Sequence, residues 1–95
     1  MGEAIEHVAE ASDGRWVLSR DGAEAVTTYS RLSPTKIIVD GTEVPTALRG
    51  TGAGKALFDH VVAQARADGF KIVPLCPFFM GQSRKHPDTA DVFEM

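Results

Sequence analysis

Up to about residue 44 the apolar positions fall in short runs of strand length, separated by turn residues. Ile5 to Ala9 reads as a short edge strand. Arg15–Arg20 and Glu24–Arg31 read as two strands joined through Asp21-Gly22, a pair that favours a tight hairpin because both residues tolerate positive φ. Leu32-Ser33-Pro34-Thr35 reads as a turn, and Lys36 to Val44 as the next strand, centred on Ile37-Ile38-Val39. Gly41 interrupts that strand and points to a bulge or a close backbone approach. From Gly52 to Asp68 the period changes. Leu57, Val61 and Ala65, with Phe58 and Val62, share one side of a 3.6-residue helix, while Lys55, Asp59, Arg66 and Asp68 stay wet. Gly69 is a suitable stop. Lys71 to Leu75 is β-branched and apolar, as a buried parallel strand requires. Pro74 has no N–H to give to a ladder, so the strand must be unpaired on that side. Phe79 to Lys85 reads as a short final helix, weakened by Gly81.

The junction between the fourth strand and the long helix carries the chemistry. Val44-Pro45-Thr46-Ala47-Leu48-Arg49-Gly50-Thr51-Gly52-Ala53-Gly54-Lys55 is an apolar stretch that runs into a three-glycine turn and straight into a helix. Glycines let a ligand approach the backbone because no Cβ stands in the way. The free N–H groups of a helix's first turn, with the positive end of its dipole behind them, then form an anion site suited to phosphate. Spacing separates three nucleotide-binding readings. A P-loop, G-x-x-x-x-G-K-S/T, would need Gly at Arg49 and Ser or Thr at Ala56. A dinucleotide fingerprint, G-x-G-x-x-G, would need Gly at Lys55. The pattern that fits is Q/R-x-x-G-x-G/A, met by Arg49, Gly52 and Gly54.

That pattern resembles the acetyl-CoA pyrophosphate loop of the GNAT superfamily of N-acetyltransferases. The resemblance extends to Lys71-Ile72-Val73-Pro74-Leu75-Cys76-Pro77-Phe78 and to Arg84-Lys85-His86-Pro87-Asp88, with Ala90-Asp91 beyond. It covers Asp40 to Asp91 closely, and Ile5-Glu6-His7 and the Asp21-Gly22 hairpin more loosely. It is closest to the short, stand-alone, GNAT-like proteins of that superfamily. The fold it implies is α/β (α+β): a mixed, mostly antiparallel sheet with a splayed parallel strand pair, one main helix and a short C-terminal helix. It also implies acetyl-CoA as cosubstrate, with its pantetheine arm between the splayed strands.

Composition bounds the rest. Ninety-five residues allow one domain, 1–95, with a single core. At 43% hydrophobic and 24% charged residues the chain is ordinary globular protein. A net charge of −3 gives no support to a nucleic-acid or anionic-membrane role. No apolar run approaches the ~20 residues of a membrane span, and the first residues lack a signal-peptide pattern. Cys76 is the single cysteine, so no intrachain disulfide forms and a cytoplasmic setting is the default expectation. Three scattered histidines and one cysteine have no zinc-ligand spacing, so no metal is expected.

Acetyl transfer to an amine needs a cradle for the cofactor, a donor for the thioester oxygen and a route for the amine's proton. The cradle would be the backbone of Gly50, Thr51, Gly52, Ala53, Gly54 and Lys55, with Arg49 and Lys55 as phosphate charges; Lys55 is equally placed to pair with Asp59 at i,i+4. For the thioester oxygen the resemblance points to the backbone N–H of Val44, the last donor before Pro45. Glu43 is the best-placed general base, turned to the opposite face by strand alternation. Cys76, at the end of the second splayed strand, is the nucleophile candidate for a two-step mechanism. A free cysteine also packs as a small hydrophobe, and no His or Lys neighbours it in sequence to activate the thiol. His86 reads as a loop residue, His60 as packing or solvated, and His7 as surface.

Two departures weigh against catalysis. Many GNAT enzymes protonate the leaving thiolate with a tyrosine that aligns with Gln82, and relatives often carry His where Gly41 stands. By the same resemblance, most of the N-terminal helical region that builds the acceptor pocket of longer GNAT enzymes is expected to be missing here. A homodimer, a partner protein or a macromolecular substrate would complete that side. The favoured reading is therefore direct transfer of acetyl from acetyl-CoA to a small-molecule or protein amine. A CoA-binding module without catalysis is the alternative, and a small interaction protein using the glycine turn only structurally is a third.

Overall fold

The computed structural model describes residues 4–94. In chain order they form β1 (Ala4–Ala9), β2 (Asp13–Arg20), β3 (Ala23–Ser33), β4 (Lys36–Glu43), α1 (Ala53–Asp68), β5 (Lys71–Pro74) and α2 (Pro77–Lys85). Short 3-10 turns occupy Thr46–Leu48 and Pro87–Val92. The strands lie in the order β1-β2-β3-β4-β5. The first four pair antiparallel with their sequence neighbours, and β5 runs parallel to β4. A parallel pair needs a long crossover, and α1 supplies it. The mixed, mostly antiparallel α/β arrangement anticipated from the sequence is therefore the one the chain adopts.

Local chemistry explains each junction. Asp21 and Gly22 both take positive φ, 52° and 78°, the geometry whose twist matches the strands of a two-residue hairpin. Strand β3 continues to Ser33, so the turn expected over 32–35 shrinks to Pro34-Thr35. In β4, Thr28 faces Gly41 while the next residue, Tyr29, faces Val39, which leaves Asp40 as the extra residue of a bulge. The bulge resets the alternation. Ile37 and Val39 point to the helices before it and Thr42 after it, and Glu43 is exposed. The strand ends at Glu43, so Val44 lies one residue past it rather than inside it.

One face of the sheet is covered. Trp16, Leu18, Ala25, Tyr29, Ile37 and Val39 meet Leu57, Phe58, Val61, Val62 and Ala65 of α1 and Phe79 of α2. Burial of each large apolar side chain contributes about 1.5–3 kcal/mol, and all five apolar positions predicted for α1 are in that core. Gly52 (φ 83°) and Gly69 (φ 79°) bound α1 in the left-handed conformation, and the Gly69 N–H closes on the Ala65 carbonyl. α2 begins at Pro77, two residues before the expected Phe79, because proline is well suited to the first helical position, where its missing N–H costs nothing. Beyond α2, Arg66 of α1 grips the Asp91 carboxylate at 2.8 and 3.0 Å. The Glu94 N–H then bonds the Ile72 carbonyl at 2.8 Å along the outer edge of β5. Among the described residues no helix is long and apolar enough to cross a membrane.

Candidate functional site

The parallel pair is short. Its register runs from Lys36↔Lys71 to Val39↔Pro74 and stops there. The Val39 carbonyl accepts the N–H groups of both Leu75 (3.2 Å) and Cys76 (3.0 Å), and beyond it the strands part. β4 continues through its bulge to Glu43, while the other strand turns into α2. Lys71 and Leu75 give their N–H groups to the Thr35 and Val39 carbonyls on the β4 side, so the missing N–H of Pro74 faces the outer edge of β5, where no strand among the described residues pairs with it.

Where the strands part, the chain opens two clefts that share Val44 and Arg49. The first, of about 360 Å³, is lined by Val44, Leu48, the loop residues Arg49 to Lys55 except Thr51, and by Phe78 and Gln82 of α2. The second, of about 420 Å³, is lined by Glu24, Val26, Thr42, Glu43, Val44, Pro45 and Arg49. The first-turn residues of α1 thus border one cleft, and the exposed Glu43 borders the other.

The loop glycines are present for different reasons. Gly50 and Gly52 take φ of 78° and 83°, and a Cβ on either would meet nothing within 4 Å. That combination needs glycine for its backbone and leaves the loop surface open. Gly54 is buried, and a Cβ there would lie 2.8 Å from the Phe78 ring. Its hydrogen makes room for α2 against the first turn of α1. The Leu48 N–H bonds the Pro45 carbonyl (2.9 Å), and the Thr51 N–H and hydroxyl both bond the Leu48 carbonyl, at 3.2 and 2.6 Å. Arg20, from the end of β2, donates to the Thr51 carbonyl (2.9 Å) and hydroxyl (2.8 Å). No sequence pattern announced that contact, since the two residues lie 31 positions apart. Phe78 was visible only as part of a motif, with no hint of what it touches.

Arg49 donates to the Val44 carbonyl at 3.3 Å and otherwise reaches into solvent between the clefts. Lys55 is held by both oxygens of Asp59, at 2.9 and 2.8 Å, an exposed i,i+4 pair of the kind that contributes only about 0.3–0.5 kcal/mol and opens readily. Cys76 is 2% exposed. Its thiol donates to the Thr42 hydroxyl at 3.4 Å, and that hydroxyl pairs with Thr27, 3.1 Å away and fully buried. Cys76 and Glu43 are therefore not brought together. One is shut into the wall where the strands part, and the other stands on the opposite, open side.

The histidines lie away from both clefts. His7, exposed on β1, stacks on Trp16 with ring centroids 4.6 Å apart and bonds Tyr29 (2.8 Å) and Gln64 (3.1 Å). Burial of one ring edge pushes its pKa below 6.5, and the charges of Arg31 and His60 push the same way. His86 follows α2, its ring 6.2 Å from that of Phe58. Among the described residues no three His, Cys, Asp or Glu side chains converge as a metal site would require.

A mostly antiparallel sheet whose parallel strand pair opens beside a glycine-led helix is the architecture that the sequence resemblance implied, and the comparisons agree. Residues 15–92 match the model of the family described as GCN5-related N-acetyl-transferase. The NMR solution structure of a GCN5-like protein from Staphylococcus aureus is similar over 94% of this chain and 87% of its own, with a TM-score of 0.71 and 30% identity. No curated protein matches the sequence significantly. The chain belongs to the GCN5-related N-acetyltransferase family.

Proposed function

We propose that the chain is a single domain, residues 1–95, that transfers acetyl from acetyl-CoA directly to an amine of a small molecule or protein. The observation that carries the reading is the meeting of two clefts at Val44 and Arg49. The glycine-loop cleft would take the pyrophosphate on the N–H groups of Gly50 and of Gly52 to Lys55, with Arg49 and Lys55 as charges; the Thr51 N–H is already given to the Leu48 carbonyl. The pantetheine arm would pass towards Val44, whose N–H would support the thioester oxygen. Glu43, one residue before it and on the open side, would take the proton of an amine lying in the second cleft. Bound acetyl-CoA supplies an activated acyl group; the chain supplies position and proton transfer.

Direct transfer is favoured over a cysteine intermediate by the state of Cys76. Its thiol is buried and spends its proton on Thr42, whereas a nucleophilic thiolate needs access and a nearby cation. The second reading, a CoA-binding module without catalysis, is favoured by Gln82. This amide borders the cleft beside Phe78 and has no acidic proton for a leaving thiolate.

Thermal denaturation with and without cofactor tests the reading. A ligand at a hundredfold its Kd stabilises by about 2.7 kcal/mol, which in a domain of this size is a shift on the order of 10 °C. Acetyl-CoA should give it, and ATP or NAD should not. A melting curve unmoved by millimolar acetyl-CoA would sink the proposal.

A further inference from the structure

An N–H cradle works only if its donors are already aimed when the anion arrives, since aiming them on binding costs affinity. Two of the three residues Gly50, Thr51 and Gly52 are left-handed glycines, the residue type with the widest choice of backbone conformations. The side of the loop where Cβ atoms would project touches nothing, so it is held from the other side. Two anchors meet at Thr51: the Leu48 carbonyl, which accepts its N–H and hydroxyl, and the guanidinium of Arg20, which donates to its carbonyl at 2.9 Å and its hydroxyl at 2.8 Å.

The Arg20 contact has a directional effect. A peptide unit is planar and trans, so its C=O and the following N–H point opposite ways. With the Thr51 carbonyl turned onto Arg20, the Gly52 N–H is turned away from Arg20, and Gly52 borders the first cleft.

We infer that Arg20 is the positioning residue of the phosphate cradle: it locks the Thr51–Gly52 peptide so that the Gly52 N–H faces the cleft. The inference rests on the reading that this cleft receives the CoA pyrophosphate. Arg20 acts through Thr51 and is not itself assigned to the ligand.

The test uses calorimetric titration of CoA and of 3′-dephospho-CoA, together with amide hydrogen exchange of the unliganded protein. Arg20→Met should weaken both ligands about tenfold, because both carry the pyrophosphate. The Thr51 amide, which the loop holds on the Leu48 carbonyl, should exchange faster without ligand, while the unliganded melting temperature falls only slightly. Arg20→Lys, which keeps the charge and one donor, should recover part of the affinity. In a Thr51→Ala background Arg20→Met should cost less than it does alone, since the hydroxyl contact is already gone. Unchanged affinity and unchanged exchange in Arg20→Met would overturn the inference. So would a loss confined to CoA, which would put Arg20 on the 3′-phosphate itself. If the unmodified protein binds neither ligand, the cofactor reading fails; the exchange of the Thr51 amide still decides whether Arg20 holds the loop. Should Arg20→Met fail to fold, Arg20→Lys carries the same comparison.

Discussion

The ring of Phe78 occupies the space that a side chain on Gly54 would need, with its tip 2.8 Å from the site of the absent Cβ. The third glycine of the loop is thus a packing residue between α1 and α2, and Phe78 borders the first cleft as well. Gly54→Ala should push the ring outward, lowering stability by about 1–3 kcal/mol and narrowing that cleft. A smaller residue in the partner position, Phe78→Leu, should restore most of the lost stability in the double variant. Gly52→Val displaces no neighbour but strains the left-handed backbone (φ 83°), so it too should lower stability, with no rescue from Phe78→Leu, and it should block acetyl-CoA at the cradle. Melting temperature and cofactor affinity measured on the same three proteins separate the two effects. Equal, small changes in affinity across all of them would argue against a cradle at Gly52.

Catalysis by direct transfer predicts a sharp asymmetry between the two candidate residues. Cys76→Ala should keep most of the turnover, and Glu43→Gln should lose roughly 10²-fold, the low end of general-base contributions. Intact-mass spectrometry after incubation with acetyl-CoA alone decides the point without knowledge of the acceptor. An acetyl adduct on Cys76 that an added amine discharges would reverse the assignment. No adduct, and no turnover with any amine offered, would favour the binding module.

Acid should loosen the tie between β1 and α1. Trp16 donates its indole N–H to the Gln64 side-chain oxygen at 2.9 Å, so the Gln64 amide donates to His7 Nδ1 and leaves Nε2–H to donate to Tyr29. This network accommodates the neutral ring, and burial followed by Arg31 lowers the pKa in the folded protein. A base with a lowered folded pKa stabilises the fold above its ordinary value, 6.5, and that contribution is lost as pH falls through the lower folded value. His7→Phe keeps a ring against Trp16 but cannot titrate. Its melting temperature should fall less between pH 7.5 and 5 than that of the unmodified protein; parallel falls would contradict this account.

Gly14 and Gly81 should respond in opposite senses to alanine. A Cβ on Gly14 would lie 2.5 Å from the Tyr29 hydroxyl and 2.6 Å from the Val8 carbonyl. Backbone on one side and a buried ring on the other leave no relief, so a loss at the upper end of about 1–3 kcal/mol is expected. Gly81 lies within α2 with nothing near its absent Cβ, and Gly81→Ala should raise stability by roughly 0.5–1 kcal/mol. Denaturant titration of both variants provides the comparison.

What could be read from the sequence was local. Asp21-Gly22 announced its hairpin, and Gly52 and Gly69 announced both ends of α1, because left-handed residues at caps and turns leave a composition signal. Pro74 announced that β5 has no strand partner on its outer side among the described residues, because proline has no N–H to give there. The start of α2 was read late, since Pro77 looks like an interruption unless it is placed at the first helical position. Gly41 signalled a bulge but not that Asp40 is the residue set aside. The contacts that shape the site left no signal at all: Arg20 with Thr51, Phe78 with Gly54, and Cys76 with Thr42 join residues from different elements, and no periodicity relates them. The division of labour among the loop glycines followed only from what each one faces.

The strand order carries a consequence for how the protein assembles. β1 to β4 each pair with the next segment of the chain, so their contacts form by closing short loops. β5 reaches β4 only after the sixteen residues of α1 are in place, and such remote pairings form more slowly. The first cleft lies at the seam between the early meander and this late addition, since Phe78 and Gln82 of α2 close it, whereas the second is lined by the meander and the turn after it. The first is complete only in a chain that has finished its last step, so whatever fills it is a reporter of finished folding. A filling ligand should slow hydrogen exchange in the meander and in the α1–β5–α2 half together.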